Sequence, residues 1–465
     1  MNLSLAITIC LGMLQLVVPR RYALLPIVVA GCYMTAGWVL DLGALNFYLT
    51  RVIVLVALAR VAVRREFLGF RWSPSDSVLV AWLMIVTFAY VIFDGTNVSL
   101  ITRLGYAFDA AGTYMLARVY IRSVEDARRL IIFLAVATVP LSVLLAREMM
   151  TGRNPFFILG GVGEFSEVRD GRVRAQGPFP HSILAGTFGG ALFPLYVGLW
   201  LYERRSRLVA ALGMTGALVI MYASASSGPL MAFAIGIVGL GCWFLRAYMR
   251  QIRWGILLAL VTLALIMRRP IWFLIAKISE MSGHGSGWYR SALIDSAYNN
   301  LSQWWLVGTT YTRHWMPTGI AADSDSADIV NEFLAQGVRG GLLAMVLYIW
   351  LIVRCFKVIG RAVRNEASNT LQVRLLMWTV GCSLLSFVAS FFSVSLFGQM
   401  INFWMLFLGL IIGLSGLAPV LARKVDKTRE ANPRKRNRTS QSGTKSVVGD
   451  GRSKLRIPVL ESQER

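Results

Sequence analysis

The chain has 465 residues, 56% hydrophobic and only 15% charged. A soluble protein carries roughly 25% charge, so a string of soluble domains of about 150 residues each is excluded. Its 47 Lys and Arg against 24 Asp and Glu leave +23, and the basic residues sit between long apolar runs. That arrangement belongs to a membrane protein with a positive-inside bias, not to a nucleic-acid binder.

A bilayer-spanning helix needs roughly 17–25 mainly apolar residues. In chain order such runs are predicted at 3–19, 22–40, 44–62, 77–94, 100–121, 129–147, 181–202, 207–225, 229–246, 253–270, 333–353, 371–395 and 398–421. The first has its Arg pair after the apolar run, so an uncleaved span is expected there rather than a signal peptide. The fifth is the least apolar, because it holds Arg103, Asp109 and Arg118. The expected fold class is all-α, a polytopic transmembrane helical bundle of about 12–13 spans. Its expected divisions are N-terminal helices (1–147), a first outer loop (148–180), central helices (181–270), a large helical outer loop (271–332), C-terminal helices (333–421) and a disordered basic tail (422–465). Cys10, Cys32, Cys242, Cys355 and Cys382 all lie in or beside apolar segments, without a CxxC pair. Packing is their expected role.

Arg20–Arg21, Arg60 to Arg71, Arg122 to Arg129, Arg204 to Arg207, Arg246 to Arg253 and Arg354 to Arg364 fall in alternate links. Their bias puts the N-terminus outside and the C-terminus in the cytoplasm. For a bacterial inner membrane, both long loops are then periplasmic. Helical pieces are expected near 271–281 and 290–303. All three histidines (His181, His284, His314) lie in or at the edge of these loops, which makes the loops the expected seat of function.

Outward arginines run against the bias and call for a reason. Arg169, Arg172 and Arg174 cluster in the first loop, with Arg290, Arg313 and Arg339 in or after the second. Guanidinium forks match phosphate geometry, so a lipid diphosphate is one partner; ion pairs with Glu164, Glu167, Asp170 or Asp295 are the structural alternative. His181 begins a span after the rigid Gly177–Pro180 turn, as a proton shuttle or as a helix cap. Asp328, Asn331 and Glu332 share one face if helical; they could activate an acceptor hydroxyl or cap the helix. Gly337, Gly340 and Gly341 permit close packing. Trp288, Trp304, Trp305 and Trp315 serve interfacial anchoring or sugar stacking. No Walker A loop, GxSxG or HExxH occurs, so neither cofactor nor metal is expected.

Four segments together resemble the O-antigen ligase/O-antigen polymerase superfamily. They are RAQGPFPHSILAGTFGGALFPL (174–195), SASSGPLMAF (224–233), SGWYRSALIDSA with WWLVGT (286–309) and DIVNEFLAQGVRGGLL (328–343). The resemblance implies a GT-C-like, metal-independent glycosyltransferase whose donor is an undecaprenyl-diphosphate-linked oligosaccharide. Its other partners would be a glycan acceptor, the lipid bilayer and other polysaccharide-assembly proteins, with no nucleic acid. Arg290 falls where the family keeps an arginine at the start of an outer-loop helix, and Arg174 lies in the family's loop-arginine region. Two departures stand out. Ser226–Ser227–Gly228 replaces an SRG triplet, and no His precedes Asn331 where ligases carry a His-Asn pair. These favour a polymerase. Asp328 or Glu332 would then replace the missing base, with His314 in reserve, while Arg172, Arg174, His181, Arg290, Arg313 and Asn331 bind substrate. The alternative function is a transporter or flippase of lipid-linked glycan, which would place working charge at the bilayer midplane; Asp109 and Arg103 are the candidates for it.

Overall fold

A computed structural model describes residues 3–416 apart from 36, 38, 43–44, 95–96, 282–285, 317–325 and 367–368. The basic tail and His284 lie outside the described residues. The chain is a helical bundle. Its first half comprises α1 (Leu3–Val17), α2 (Leu25–Tyr33), α3 (Leu49–Val63), α4 (Pro74–Asp94), α5 (Asn97–Tyr120) and α6 (Val124–Thr151). The central part holds α7 (Ser182–Tyr202), α8 (Arg207–Ala223), α9 (Ser227–Gly241) and α10 (Met249–Ile266). Short helices α11 (Leu274–Met281), α12 (Ser286–Asn299) and α13 (Leu301–Trp304) follow, then α14 (Glu332–Arg364), α15 (Leu371–Ser390) and α16 (Met400–Gly413). Among the described residues, six helical stretches are long and apolar enough to cross a membrane. They are α6, α7, α8, the α9–α10 stretch, α14 and α15; α1, α4 and α16 contribute shorter apolar helices.

Local chemistry sets the helix ends. Ser123 caps α6 by accepting from the Asp126 amide at 3.1 Å, and the Asp126 carboxylate accepts from the Arg122 amide at 3.1 Å. This reciprocal capping satisfies two amides that otherwise lack a partner. Gly152, with φ 69°, closes the same helix in the left-handed conformation that glycine adopts without penalty. At the centre α7 packs against α8, α9 and α15, while α5 packs on α16 and α4 on α14. Trp82, Tyr348, Phe387, Phe391 and Trp404 form a buried aromatic cluster joining α4, α14, α15 and α16.

Two departures from the sequence expectation have clear causes. The segment expected to be helical through residue 40 stops at Tyr33, and β1 (Val39–Leu42) pairs antiparallel with β2 (Leu45–Tyr48). Asp41, Gly43 and Asn46 are poor helix formers, and Val39, Phe47 and Tyr48 favour strands. The nine residues of α2 reach about 13 Å at 1.5 Å per residue, less than half of a hydrocarbon core of about 30 Å.

The second departure is a break in α14 at Gly340 and Gly341, the latter at φ 76°. The segment after α13 fills the gap. Leu342 donates its amide to the Trp305 carbonyl at 2.8 Å, and Thr309 donates to the Val338 carbonyl at 2.9 Å. Backbone groups freed by the break are thus satisfied within the protein, the only arrangement a bilayer tolerates. Gly308 has φ 90°, and a Cβ there would lie 2.2 Å from the Val338 carbonyl oxygen. Gly308→Ala is therefore expected to destabilise by roughly 2–5 kcal/mol, adding overpacking to a disfavoured backbone conformation. A thermal unfolding midpoint matching wild type in detergent would refute the tight insertion.

The links sort into two ends. At one, Arg60 and Arg64 reach the Gln15 and Leu16 carbonyls, Arg122 the Glu66 and Leu68 carbonyls, and Arg128 pairs with Glu203. At the other, Ser4 and Thr35 bind the Leu159 and Gly160 carbonyls, Ala175 pairs with Ala223, and Gln399 with Pro178. The first end is the arginine-rich one; the second carries both long loops. Gly228 lies beside Arg290, and Ser291 donates to the Trp272 carbonyl at 3.0 Å. The stretch from 227 to 272 therefore runs out and back, turning through a 3-10 segment at Cys242–Tyr248. None of the residues of α10 is buried.

Candidate functional site

The first loop is fixed from below by a carboxylate. Glu148, fully buried near the end of α6, accepts from the Gln176 amide (2.9 Å), the Gly177 amide (2.8 Å) and the Ser166 hydroxyl (2.8 Å). Asn154 donates to the Gly177 carbonyl at 2.8 Å. From this base rises a hairpin, β3 (Glu167–Arg169) and β4 (Arg172–Arg174). Its turn is Asp170–Gly171 at φ 51° and 73°, the pair of positive angles that Asp-Gly supplies to a two-residue hairpin. The register pairs Glu167 with Arg174 and Arg169 with Arg172. Alternation along a strand puts all four on one face. Two arginines directly opposite each other repel; Asp170 lies 3.9 Å from Arg169 and Glu167 pairs with Arg174, which leaves Arg172 as the exposed cation of this face.

Arg174 turns inward from the hairpin. It is 5% exposed, donates to Glu167 Oε2 at 2.7 Å and to Ser226 Oγ at 3.1 Å, and keeps its buried Nε without a partner among the described residues. Ser226 belongs to the α8–α9 link, where Ala225 adopts φ 44°. One residue past the helix start, Gly228 makes room for a second guanidinium: a Cβ there would lie 3.5 Å from Arg290 Nη2 and 2.4 Å from Ser393 Oγ. Arg290 projects from α12. It is half-buried and makes no hydrogen bond or ion pair among the described residues. Burial, and then the Arg169 cation, push its guanidinium below the ordinary arginine value. A desolvated charge without a counter-ion is costly, and among the described residues none is paired with Arg290.

His181 caps α7 by accepting the Ile183 amide at Nδ1, 3.1 Å away. Its neutral ring must then carry the proton on Nε2, as a donor. Burial first, and then Arg174, lower its pKa below the ordinary 6.5, opposed by Glu167 and Asp328. A group depressed in the folded state contributes stability above its unfolded pKa and loses it as pH falls through the folded value. Loss of stability on acidification below about pH 6.5 is therefore expected, and His181→Asn, which can still cap, should flatten that slope. Identical pH dependence of thermal unfolding in both proteins would contradict this.

Asp328 stands at the rim. Tyr289, next to Arg290, donates its hydroxyl to the Asp328 carbonyl at 3.0 Å, and burial pushes that phenol up to about 12. Partial withdrawal from water raises the Asp328 carboxyl above the usual carboxylate range, with His181 pulling the other way. Arg174, His181 and Asp328 thus lie within electrostatic reach of one another, while Arg290 stands beside Gly228 and the Arg169 side of the hairpin.

The remaining candidates lie elsewhere or are otherwise engaged. Asn331 caps α14, accepting the Leu334 amide at 3.1 Å. Because α14 begins at Glu332, Asp328 is not helical and the expected shared face does not form. Glu332 is 1% exposed, and its two oxygens accept from Gln336 Nε2 (2.7 Å) and the Leu396 amide (2.6 Å). Arg172 is exposed on the hairpin. Arg313 and His314 occupy an exposed 3-10 turn, where His314 stacks on Tyr311 at 5.2 Å and bonds to Gln303 at 3.1 Å. Of the tryptophans, Trp304 and Trp315 are buried in the satellite core under this loop, with Trp288 and Trp305 exposed. Of the possible acidic partners, Glu167 pairs with Arg174 at 2.7 Å and Asp170 with Arg169 at 3.9 Å, while Glu164 lies 4.0 Å from Arg153 and Asp295 accepts from Trp272. Glu148 and Tyr289 were not singled out by the sequence, and Ser226 only as part of the triplet that departs from the family pattern; the only signal for Glu148 was a carboxylate ending an apolar run. No protein-family model matches the chain, and no curated protein matches it.

Proposed function

We propose that the chain is a GT-C-like glycosyltransferase of the O-antigen polymerase or ligase type. It would work at the outer face of a bacterial inner membrane on undecaprenyl-diphosphate-linked glycan. The observation that supports this best is Arg290, half-buried and without an anionic partner among the described residues, beside Gly228 and within reach of Arg169 on the hairpin. The diphosphate of a donor lipid supplies the missing charge, and its lipid tail extends into the bilayer. Arg290 and Arg174 bind the diphosphate and stabilise it as negative charge grows on the leaving group. His181 donates through Nε2. Asp328 takes the proton from the acceptor hydroxyl as its oxygen attacks the anomeric carbon; the bond to diphosphate breaks and the diphosphate leaves with the electron pair. Asp328 suits the base role better than Glu332, whose oxygens are both occupied.

The transporter alternative draws on charge within the membrane. Asp109 is paired with Arg51 at 2.8 Å, which speaks for a structural role. Deleting the gene separates the two. A polymerase null accumulates single repeat units on lipid at the outer face, whereas a flippase null retains them at the inner face. Retention at the inner face would overturn the glycosyltransferase assignment.

A further inference from the structure

At the end opposite the candidate site, the arginine-rich end, lies a cavity of about 260 Å³, far above the 10–15 Å³ or so that one water requires. Its polar lining is Arg20, Arg21, Arg122, Tyr120 and Asp126, and its apolar lining is Leu24, Leu130 and Phe133. Each polar group has a definite state. Arg122 is committed to the protein through the carbonyls of Val119, Leu68 and Glu66. Burial first, and then the neighbouring Arg20 cation, lower its pKa, with Asp126 and Glu66 opposing. Asp126 is spent on the α6 cap and on Arg129, and Tyr120 donates to Glu66 at 2.8 Å. Among the described residues Arg20 makes one hydrogen bond, to the Val119 carbonyl at 2.9 Å. Arg21 makes no hydrogen bond or ion pair among the described residues and lies over the Tyr22 ring, 4.9 Å from its centroid. Arg20 and Arg21 are exposed at the cavity mouth, and most of their guanidinium donors are unengaged among the described residues; the lining holds three cations and one engaged carboxylate, with the Glu66 carboxylate nearby.

The apolar wall identifies the ligand class. Leu130 and Leu24 are buried, and Phe133 meets the exposed Tyr22 ring at 6.0 Å, so the cavity is bounded by groups suited to acyl chains. A soluble phosphate has no use for such a wall. Basic pockets between membrane helices on the arginine-rich side suit anionic headgroups. We propose that this cavity binds the phosphate headgroup of an anionic phospholipid, held by Arg20 and Arg21 and set against the start of α6, whose dipole favours negative charge. The site is independent of the donor-lipid site, which lies at the opposite end.

The test is native mass spectrometry of the full-length protein in detergent, titrated with phosphatidylglycerol, phosphatidylcholine or inorganic phosphate. Phosphatidylglycerol is expected to be retained saturably and at least tenfold more tightly than phosphatidylcholine, with millimolar inorganic phosphate failing to displace it. Arg21→Gln, which breaks no hydrogen bond, should weaken retention several-fold, and Arg20→Gln/Arg21→Gln more than tenfold. Arg253→Gln, an exposed arginine outside the cavity, should change nothing. Retention unaltered by Arg21→Gln, or lowered equally by Arg253→Gln, overturns the site. Full displacement by inorganic phosphate overturns the lipid as its occupant. Because glycan transfer is not measured, failure here leaves the donor-site assignment standing.

Discussion

Replacing Arg290 with Ala is expected to abolish long polymer while the protein still inserts and folds. The reasoning rests on what Arg290 does not do. It makes no hydrogen bond or ion pair among the described residues, so its removal breaks none and relieves a desolvated charge. Thermal stability should hold or rise slightly. Transfer should fall by about 10²–10³, the usual cost of removing one preorganised donor to a developing charge. Arg290→Lys should recover only part, because an ammonium cannot present two parallel donors to a phosphate. Arg174→Ala is a less clean experiment, since it also strips Glu167 and Ser226 of a partner. Polymer of normal length from an Arg290→Ala strain would remove the diphosphate-binding role.

The second large effect separates two neighbouring carboxylates. Glu332 is the brace that ties the start of α14 to the link between α15 and α16: its amide donates to the Phe391 carbonyl at 2.9 Å, and its carboxylate holds the Leu396 amide. Glu332→Ala leaves the Leu396 amide and Gln336 buried without that acceptor, at about 1–3 kcal/mol for each unsatisfied group. A loss of roughly 2–6 kcal/mol, read as folded yield and unfolding midpoint, is expected, and Glu332→Gln should restore much of it. Asp328→Asn should behave in the opposite way, with normal yield and transfer reduced by about 10²–10⁴, the typical contribution of a general base. If Glu332→Ala folds normally while transfer is lost, the two roles have been assigned the wrong way round.

Much of the bundle was legible because a span is a local property. Apolar runs located helices even where loops intervened, and alternation of arginine separated the two ends before any contact was known. The Asp170–Gly171 turn could likewise have been read from its dipeptide. What escaped was set by distant partners. Gly340 and Gly341 read as packing residues, because nothing in their own span reveals that Trp305 to Thr309 inserts there. Arg118, which made the fifth span look weak, is bonded to Asp76 at 3.0 Å, and Asp109 to Arg51 at 2.8 Å; charges that seem costly along the sequence are paired across helices. The same holds for the candidate site. Asp328, Asn331 and Glu332 look equivalent in sequence, yet a cap at Asn331 leaves one carboxylate at the rim and drives the other into the core. Of the net charge, the tail carries 13 Lys and Arg against 5 Asp and Glu. Most of the rest marks the arginine-rich end, which leaves few arginines for chemistry.

The most direct measurement uses the purified full-length protein in liposomes, supplied with undecaprenyl-diphosphate-linked oligosaccharide and followed for free undecaprenyl diphosphate and glycan length. The wild type should release undecaprenyl diphosphate in step with chain growth, and Arg290→Ala and Asp328→Asn should do neither at equal protein amounts. Transbilayer movement of the intact lipid-linked glycan with no diphosphate released would contradict glycosyl transfer.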